Sequence, residues 1–196
     1  MSERRATINR KTGETDITIT IDLDGTGRAD INTGIGFFDH MLEAFARHGL
    51  FDLEVRVDGD LRVDGHHSVE DTGIVLGQAI VQALGDKRGI RRFGQRLLPM
   101  DEALVLCAID LCGRPYLVMD ASFDAPMVGE FDTQLVKEFF YALSASAQMA
   151  LHLRVISGDN DHHRIEAMFK ACARALDEAA SYDERVSDIP STKGRL

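Results

Sequence analysis

The stretch "DGHHSVEDTG", Asp64 to Gly73, holds His66, His67 and Glu70 within one short run. "DNDHHRIEAM", Asp159 to Met168, repeats the pattern with His162, His163 and Glu166. Imidazole and carboxylate donors without a thiolate suit Mn, Fe, Co or Zn rather than a structural Cys-type zinc site. On a helix, neighbours point about 100° apart, while residues three apart share a face. The spacing predicts that His67 grips an ion with Glu70, and His163 with Glu166. His66 and His162 are then free to reach across. The expected arrangement is two metal sites that exchange ligands, one of His67, Glu70 and His162, the other of His163, Glu166 and His66.

One HHxxE pattern reads as easily as a pair of solvated histidines opening a helix. Two in register within a longer repeat do not. A diiron bundle is the other competitor, but it places ExxH on long antiparallel helices. Here the order is reversed and strands intervene.

The repeat supplies the elements that must carry these groups. "LEVRV", Leu53 to Val57, aligns with "LHLRV", Leu151 to Val155, at an offset of 98, and both alternate like strands. At the same offset "HMLEAFARHG", His40 to Gly49, meets "EFFYALSASA", Glu138 to Ala147, and both have helical apolar spacing. The HH pairs follow at an offset of 96, and each opens a second helix. His40 thereby pairs with Glu138 in the repeat, and either can complete a site as a further ligand. His152 pairs only with Glu54 and is a weaker candidate. Ahead of each unit, "RATINR" and "ITITIDL" flank the turn "KTGETD", and "ALVLCAIDL" and "PYLVMDA" flank "CGR". The fold expected is α+β, built as two similar βββαβα halves, roughly 1–90 and 91–196, within a single domain over 1–196. No Pro/Gly/Ser-rich linker separates the halves, so they are expected to share one core.

Composition sets the boundaries of function. A chain of 196 residues can bury about 70% of its unfolded surface without staples. A net charge of −10 argues against nucleic acid or an anionic membrane as a partner, though not against a small anion held by local cations. Three cysteines, Cys107, Cys112 and Cys172, without paired spacing suit a reducing cytoplasm and read as buried apolar residues. No leader-like apolar stretch opens the sequence, and no run approaches the roughly 20 apolar residues of a membrane span.

With those residues in view, the chain closely resembles the imidazoleglycerol-phosphate dehydratase family of histidine biosynthesis. The likeness runs nearly end to end through "GIGFFDHML", "DGHHSVEDTGIVLGQAI", "DEAL", "HLRVISGDNDHHRIEAMFKACARAL" and "STKG". The resemblance implies halves folded like the second domain of ribosomal protein S5. It also implies two Mn2+ ions per active site and a homo-oligomer of 24 chains with active sites where subunits meet. It assigns His40, His67, Glu70 and His162 to one metal, and His66, His163, Glu166 and position 138, here Glu138, to the other. It further implies Glu14, in "KTGETD", as the proton-transfer residue, and His48 as a contact to the substrate hydroxyls. Arg92, Arg114, Ser191, Thr192 and Lys193 are implied as phosphate contacts.

The implied reaction removes water from a glycerol phosphate bearing an imidazole ring and yields an acetol phosphate. The hydrogen lost from the central carbon has no neighbouring carbonyl, so a general base alone is insufficient. The resemblance implies that Lewis-acid metals, if bound by the ring nitrogens, would make the ring an imidazolate able to expel the adjacent hydroxyl. The competing expectation is a non-catalytic member of the same fold whose metals only join subunits. A phosphate clamp and Glu14 argue for the enzyme. Should Glu14 prove dispensable, Asp71 beside Glu70 is the next acidic residue in line.

Overall fold

The computed structural model describes residues 4–196 and contains the two halves in the expected order. The first runs β1 (Arg5–Lys11), β2 (Thr15–Asp22), β3 (Ala29–Asn32), α1 (Gly36–Gly49), β4 (Asp52–Gly59) and α2 (His66–Leu84). The second runs β5 (Phe93–Met100), β6 (Ala103–Asp110), β7 (Tyr116–Asp120), a short ribbon of β8 (Met127–Val128) and β9 (Phe131–Asp132), α3 (Leu135–Ala147), β10 (Ala150–Ser157) and α4 (Asp161–Ala180). The sheets share one topology, β1-β2-β4-β3 and β5-β6-β10-β7. In each, the last strand in that order lies parallel to its neighbour and the others are antiparallel. The ribbon β8–β9 is the addition that no periodicity announced, because two-residue strands carry no pattern. The first three residues of the opening stretch "MSERRATINRKTGE", expected to lack a leader, lie outside the described residues.

Alternation in β2 and β6 turns Ile17, Ile19, Ile21, Val105, Cys107 and Ile109 inward against the helices. One apolar cluster runs through both halves, with Phe38 of α1 edge-on to Phe139 of α3, which stacks on Phe169 of α4. Cys107, Cys112 and Cys172 are all free and buried, as their sequence context implies. Two glycines set the spacing that matters for the site. A Cβ on Gly73 would come within 2.7 Å of the Phe139 carbonyl oxygen, and one on Gly77 within 2.7 Å of the Ala147 nitrogen. Without side chains there, α2 and α3 lie backbone to backbone. No described helix is long and apolar enough to cross a membrane.

Candidate active site

Both HH pairs sit in the first turn of their helices, α2 and α4, where local hydrogen bonds orient them. Asp64 Oδ1 accepts from the His66 amide at 2.8 Å. The Asn160 side chain caps α4, accepting from the amides of His162 at 2.9 Å and His163 at 3.4 Å. Two clusters of potential ligands result. His40, His162 and Glu166 form one, and His66, Glu70 and Glu138 the other, with the three ligand atoms of each within 4.8 Å of one another. His40 Nε2 and His162 Nε2 lie 3.3 and 3.0 Å from the same oxygen, Glu166 Oε2. Each cluster mixes the two halves, with His40 of α1 beside the second motif and Glu138 of α3 beside the first, whereas the expected crossing of His162 and His66 is not seen within the chain.

The grouping within each motif differs from the sequence expectation. His66, not His67, joins Glu70, with Nε2 3.8 Å from Oε2. His162, not His163, joins Glu166. The reason is angular. Four residues turn a helix by about 400°, leaving the pair about 40° apart, whereas three leave it about 60° apart. The imidazole and carboxylate four apart are the better aligned. Within the chain, then, His67 is grouped with neither Glu70 nor His162, and His163 with neither Glu166 nor His66.

His67 and His163 instead lie outside both clusters, each held at Nδ1 by a carboxylate. Asp60 contacts His67 Nδ1 at 3.0 Å, and Glu102 contacts His163 Nδ1 at 2.8 Å. Each Nε2 is 3.7 Å from a carboxylate on a hairpin turn, Glu14 for His67 and Asp101 for His163. The Asp60 hydrogen bond, aided by Glu14, raises the His67 pKa, and Glu102 raises that of His163. His163 and the Asn160 amide in turn hold the Glu102 carboxyl at about 2. A carboxylate on one nitrogen of an imidazole whose other nitrogen is free is the usual support of a metal-binding histidine. Sequence reasoning missed Asp60 and Glu102 as partners. The repeat carried a signal for Glu102, because its turn is the counterpart of the one that bears Glu14.

Other neighbours complete the surroundings. Phe37 packs edge-on to His162, ring centroids 5.1 Å apart, and against Phe131 of the ribbon. A cleft of 580 Å3 between that ribbon and the start of α2 is lined by His66, Glu138, Asp64, Met127 and Leu135. Burial pushes the Glu166 carboxyl up, but Lys170 at 2.6 Å and His162 outweigh it and hold it below the ordinary value. His48, in the last turn of α1, has its pKa lowered by burial and by the Lys170 charge. His152 is exposed on β10 and belongs to neither cluster.

The proposed phosphate contacts gather elsewhere. Arg92 forms a two-pronged ion pair with Asp110 and donates to the Pro190 carbonyl at 2.9 Å, which draws the C-terminal tail over it. Ser191 Oγ accepts from the Lys193 amide at 3.2 Å, and Thr192 and Lys193 are exposed. The tail ends against Gly113, beside the exposed Arg114. This group lies at the far ends of α2 and α4. The Arg92 amide bonds the Ala179 carbonyl, and Lys87, just past α2, donates to the Leu111 carbonyl. From His162 to Ala179 along α4 is about 26 Å.

Comparison with known proteins decides what this arrangement belongs to. A profile of imidazoleglycerol-phosphate dehydratase matches residues 33–176. The chain belongs to the imidazoleglycerol-phosphate dehydratase family. The relative from Lachnoclostridium phytofermentans is 63% identical over 193 residues, covering 98% of each chain. That from Acetivibrio thermocellus is 58% identical over 194 residues, covering 99% of this chain and 100% of its own. A dehydratase crystal structure from Staphylococcus aureus superposes with a TM-score of 0.83 at 40% identity, over 91% of this chain and 99% of the other. A Pyrococcus furiosus dehydratase in complex with (S)-C348 gives 0.84 at 37% identity, over 96% and 100%. The protein is thus a hydro-lyase that dehydrates imidazole-glycerol phosphate in histidine biosynthesis, and not a non-catalytic relative. The family is metal-dependent, and the two clusters are the places in this chain with a donor set for a metal among the described residues.

Proposed function

We propose that the two clusters each hold one Mn2+ ion, two per active site, and that the dehydration takes place between chains of a cytoplasmic homo-oligomer of 24. The domain reading is one catalytic unit over 1–196, with halves near 1–90 and 91–196, supported by the shared core. The free buried thiols accord with a reducing compartment. The single observation that carries the metal reading is the pair of three-donor clusters, each completed by a residue from the opposite half. Their imidazole and carboxylate donors fit a hard to borderline divalent ion. His40, His162 and Glu166 would hold one ion, and His66, Glu70 and Glu138 the other. His67 and His163 are the spare ligands, partly exposed and braced by carboxylates outside the clusters, suited to complete a neighbouring chain's clusters. The phosphate group lies one helix length away, too far for a small substrate to span both within one chain. This supports active sites shared between chains.

Bound ions would supply Lewis acidity toward the substrate ring. The chain's own groups do the rest. Glu14 sits beside His67 and so would enter the same site as that imidazole; its carboxylate takes the proton from the central carbon. His48 contacts the substrate hydroxyls. Arg114, Ser191, Thr192 and Lys193 receive the phosphate, and Arg92 adds its charge while fixing the tail. The test is an assay with imidazole-glycerol phosphate before chelation, after it, and after Mn2+ is returned. Activity should vanish and return. Full turnover by protein shown to be metal-free overturns the reading.

A further inference from the structure

Asp71 follows Glu70 on α2 but faces about 100° away from it. It is only 6% exposed. Its Oδ2 accepts a 2.5 Å hydrogen bond from Thr15 Oγ1 and lies 2.6 Å from Arg10 Nη1. Arg10 and Thr15 stand on either side of the turn that carries Glu14. That turn is held locally by Thr12, whose amide donates to the Thr15 carbonyl and whose hydroxyl accepts from the amides of Glu14 and Thr15. Both contacts fall on Oδ2, so this one carboxylate oxygen ties the two flanks of the turn to α2.

The second half of the chain shows what the junction looks like without this device. Arg10 pairs with Ile17 across β1–β2, and Leu98 pairs with Val105 across β5–β6. That register makes Leu98 the counterpart of Arg10 and Ala103 the counterpart of Thr15. Aligning the HH pairs makes Ala167 the counterpart of Asp71. Ala103 and Ala167 are buried, and Leu98 packs on the core. The same hairpin-to-helix junction therefore folds with apolar side chains alone. An ion pair that buries a carboxylate beside a half-buried arginine rarely stabilises more than apolar packing of similar size, so fold stability does not explain the charged version. It occurs in the half whose turn carries Glu14 beside His67, a histidine outside both clusters.

We propose that Asp71 is a positioning residue: with Arg10 and Thr15 it clamps the β1–β2 turn to α2 and holds the Glu14 carboxylate beside His67. The catalytic half of this inference rests on Glu14 being the proton-transfer residue. The triple variant Arg10→Leu/Thr15→Ala/Asp71→Ala copies the second half and tests it. It should retain its metal and a KM within about twofold of the parent. Its kcat should fall about 10- to 100-fold, the scale of a misplacement of about 1 Å. Amide hydrogen exchange over residues 12–15 of the assembled protein should quicken. Added to Glu14→Gln, the triple change should cost less than about threefold more. Asp71→Asn alone, nearly the same shape, should show the same pattern to a smaller degree and serves if the triple variant does not fold. Losses that multiply in the combined variant, loss of metal, or unchanged exchange in the turn each overturn the clamp. Parent-like kcat in Glu14→Gln would remove Glu14 as the base, while the exchange data would still decide whether the turn is clamped.

Discussion

His40 and Glu166 lie 126 residues apart in sequence, yet His40 Nε2 is 3.3 Å from Glu166 Oε2. The contact joins the first helix of one half to the last helix of the other. It makes the two clusters separable by mutation. His40→Ala should remove one ion and leave the His66, Glu70 and Glu138 cluster filled, so metal analysis should find about half the parent content. Full retention would remove His40 from the ligand set.

Chelation should do more than stop turnover. If His67 and His163 complete a neighbour's clusters, stripping the metal should break the assembly into smaller units. Sedimentation with and without Mn2+ checks this. A metal-free particle of unchanged size would mean that other contacts hold the chains together.

Lys193→Ala should leave metal content intact and weaken substrate binding. Loss of a charge-assisted contact costs about 1.5–3 kcal/mol, roughly 10- to 100-fold in KM. Loss of metal instead would detach the tail from phosphate binding.

Gly73→Ala places a methyl group 2.7 Å from the Phe139 carbonyl oxygen. It should force α3 off α2 and destabilise the fold by about 1–3 kcal/mol. Because Glu138 rides on α3, metal should be lost chiefly from the His66 cluster. Calorimetry with metal analysis would show both effects, and a parent-like Tm would contradict the close approach.

The Glu102–His163 pair predicts a pH window for the metal-free protein. Glu102 is depressed from 4.5 to about 2, so its contribution is full above 4.5 and is lost as pH falls through about 2. His163 is raised from 6.5, so its contribution is full below 6.5 and is lost as pH climbs through the raised value. The stability gap between parent and Glu102→Gln should therefore be widest between about pH 4.5 and 6.5. Chelated samples melted across pH would reveal it, and a gap that keeps growing to pH 9 would contradict the pairing.

Much of this fold was readable because the repeat writes each element twice. Leu53–Val57 alone is a short alternating run; echoed by Leu151–Val155 it marks the same strand of two halves. The HH pairs were visible for the same reason, and so was Glu138 as the counterpart of His40. The grouping of each imidazole with its carboxylate was not readable with equal ease. It depended on whether the carboxylate three or four residues on lies closer in angle, a difference of about 20° that residue types do not announce. Asp60 left no trace in the repeat, and Glu102 only its place in the turn that matches the one bearing Glu14, because each meets its histidine only after the chain turns back on itself. The ribbon β8–β9 and the packing of Phe37 on His162 are likewise settled by tertiary contact.

The length of α4 has a genetic consequence. It keeps the C-terminal tail at one end and the two donor clusters at the other, so, with sites shared between chains as proposed, a chain defective in one end still offers the other intact to its neighbours. Two impaired alleles, one altered at Lys193 and one at His40, should therefore rescue one another when expressed together. Mixed assemblies would contain sites that draw the tail from one parent and the metal ligands from the other. Two alleles damaged at the same end would have no intact partner to borrow from.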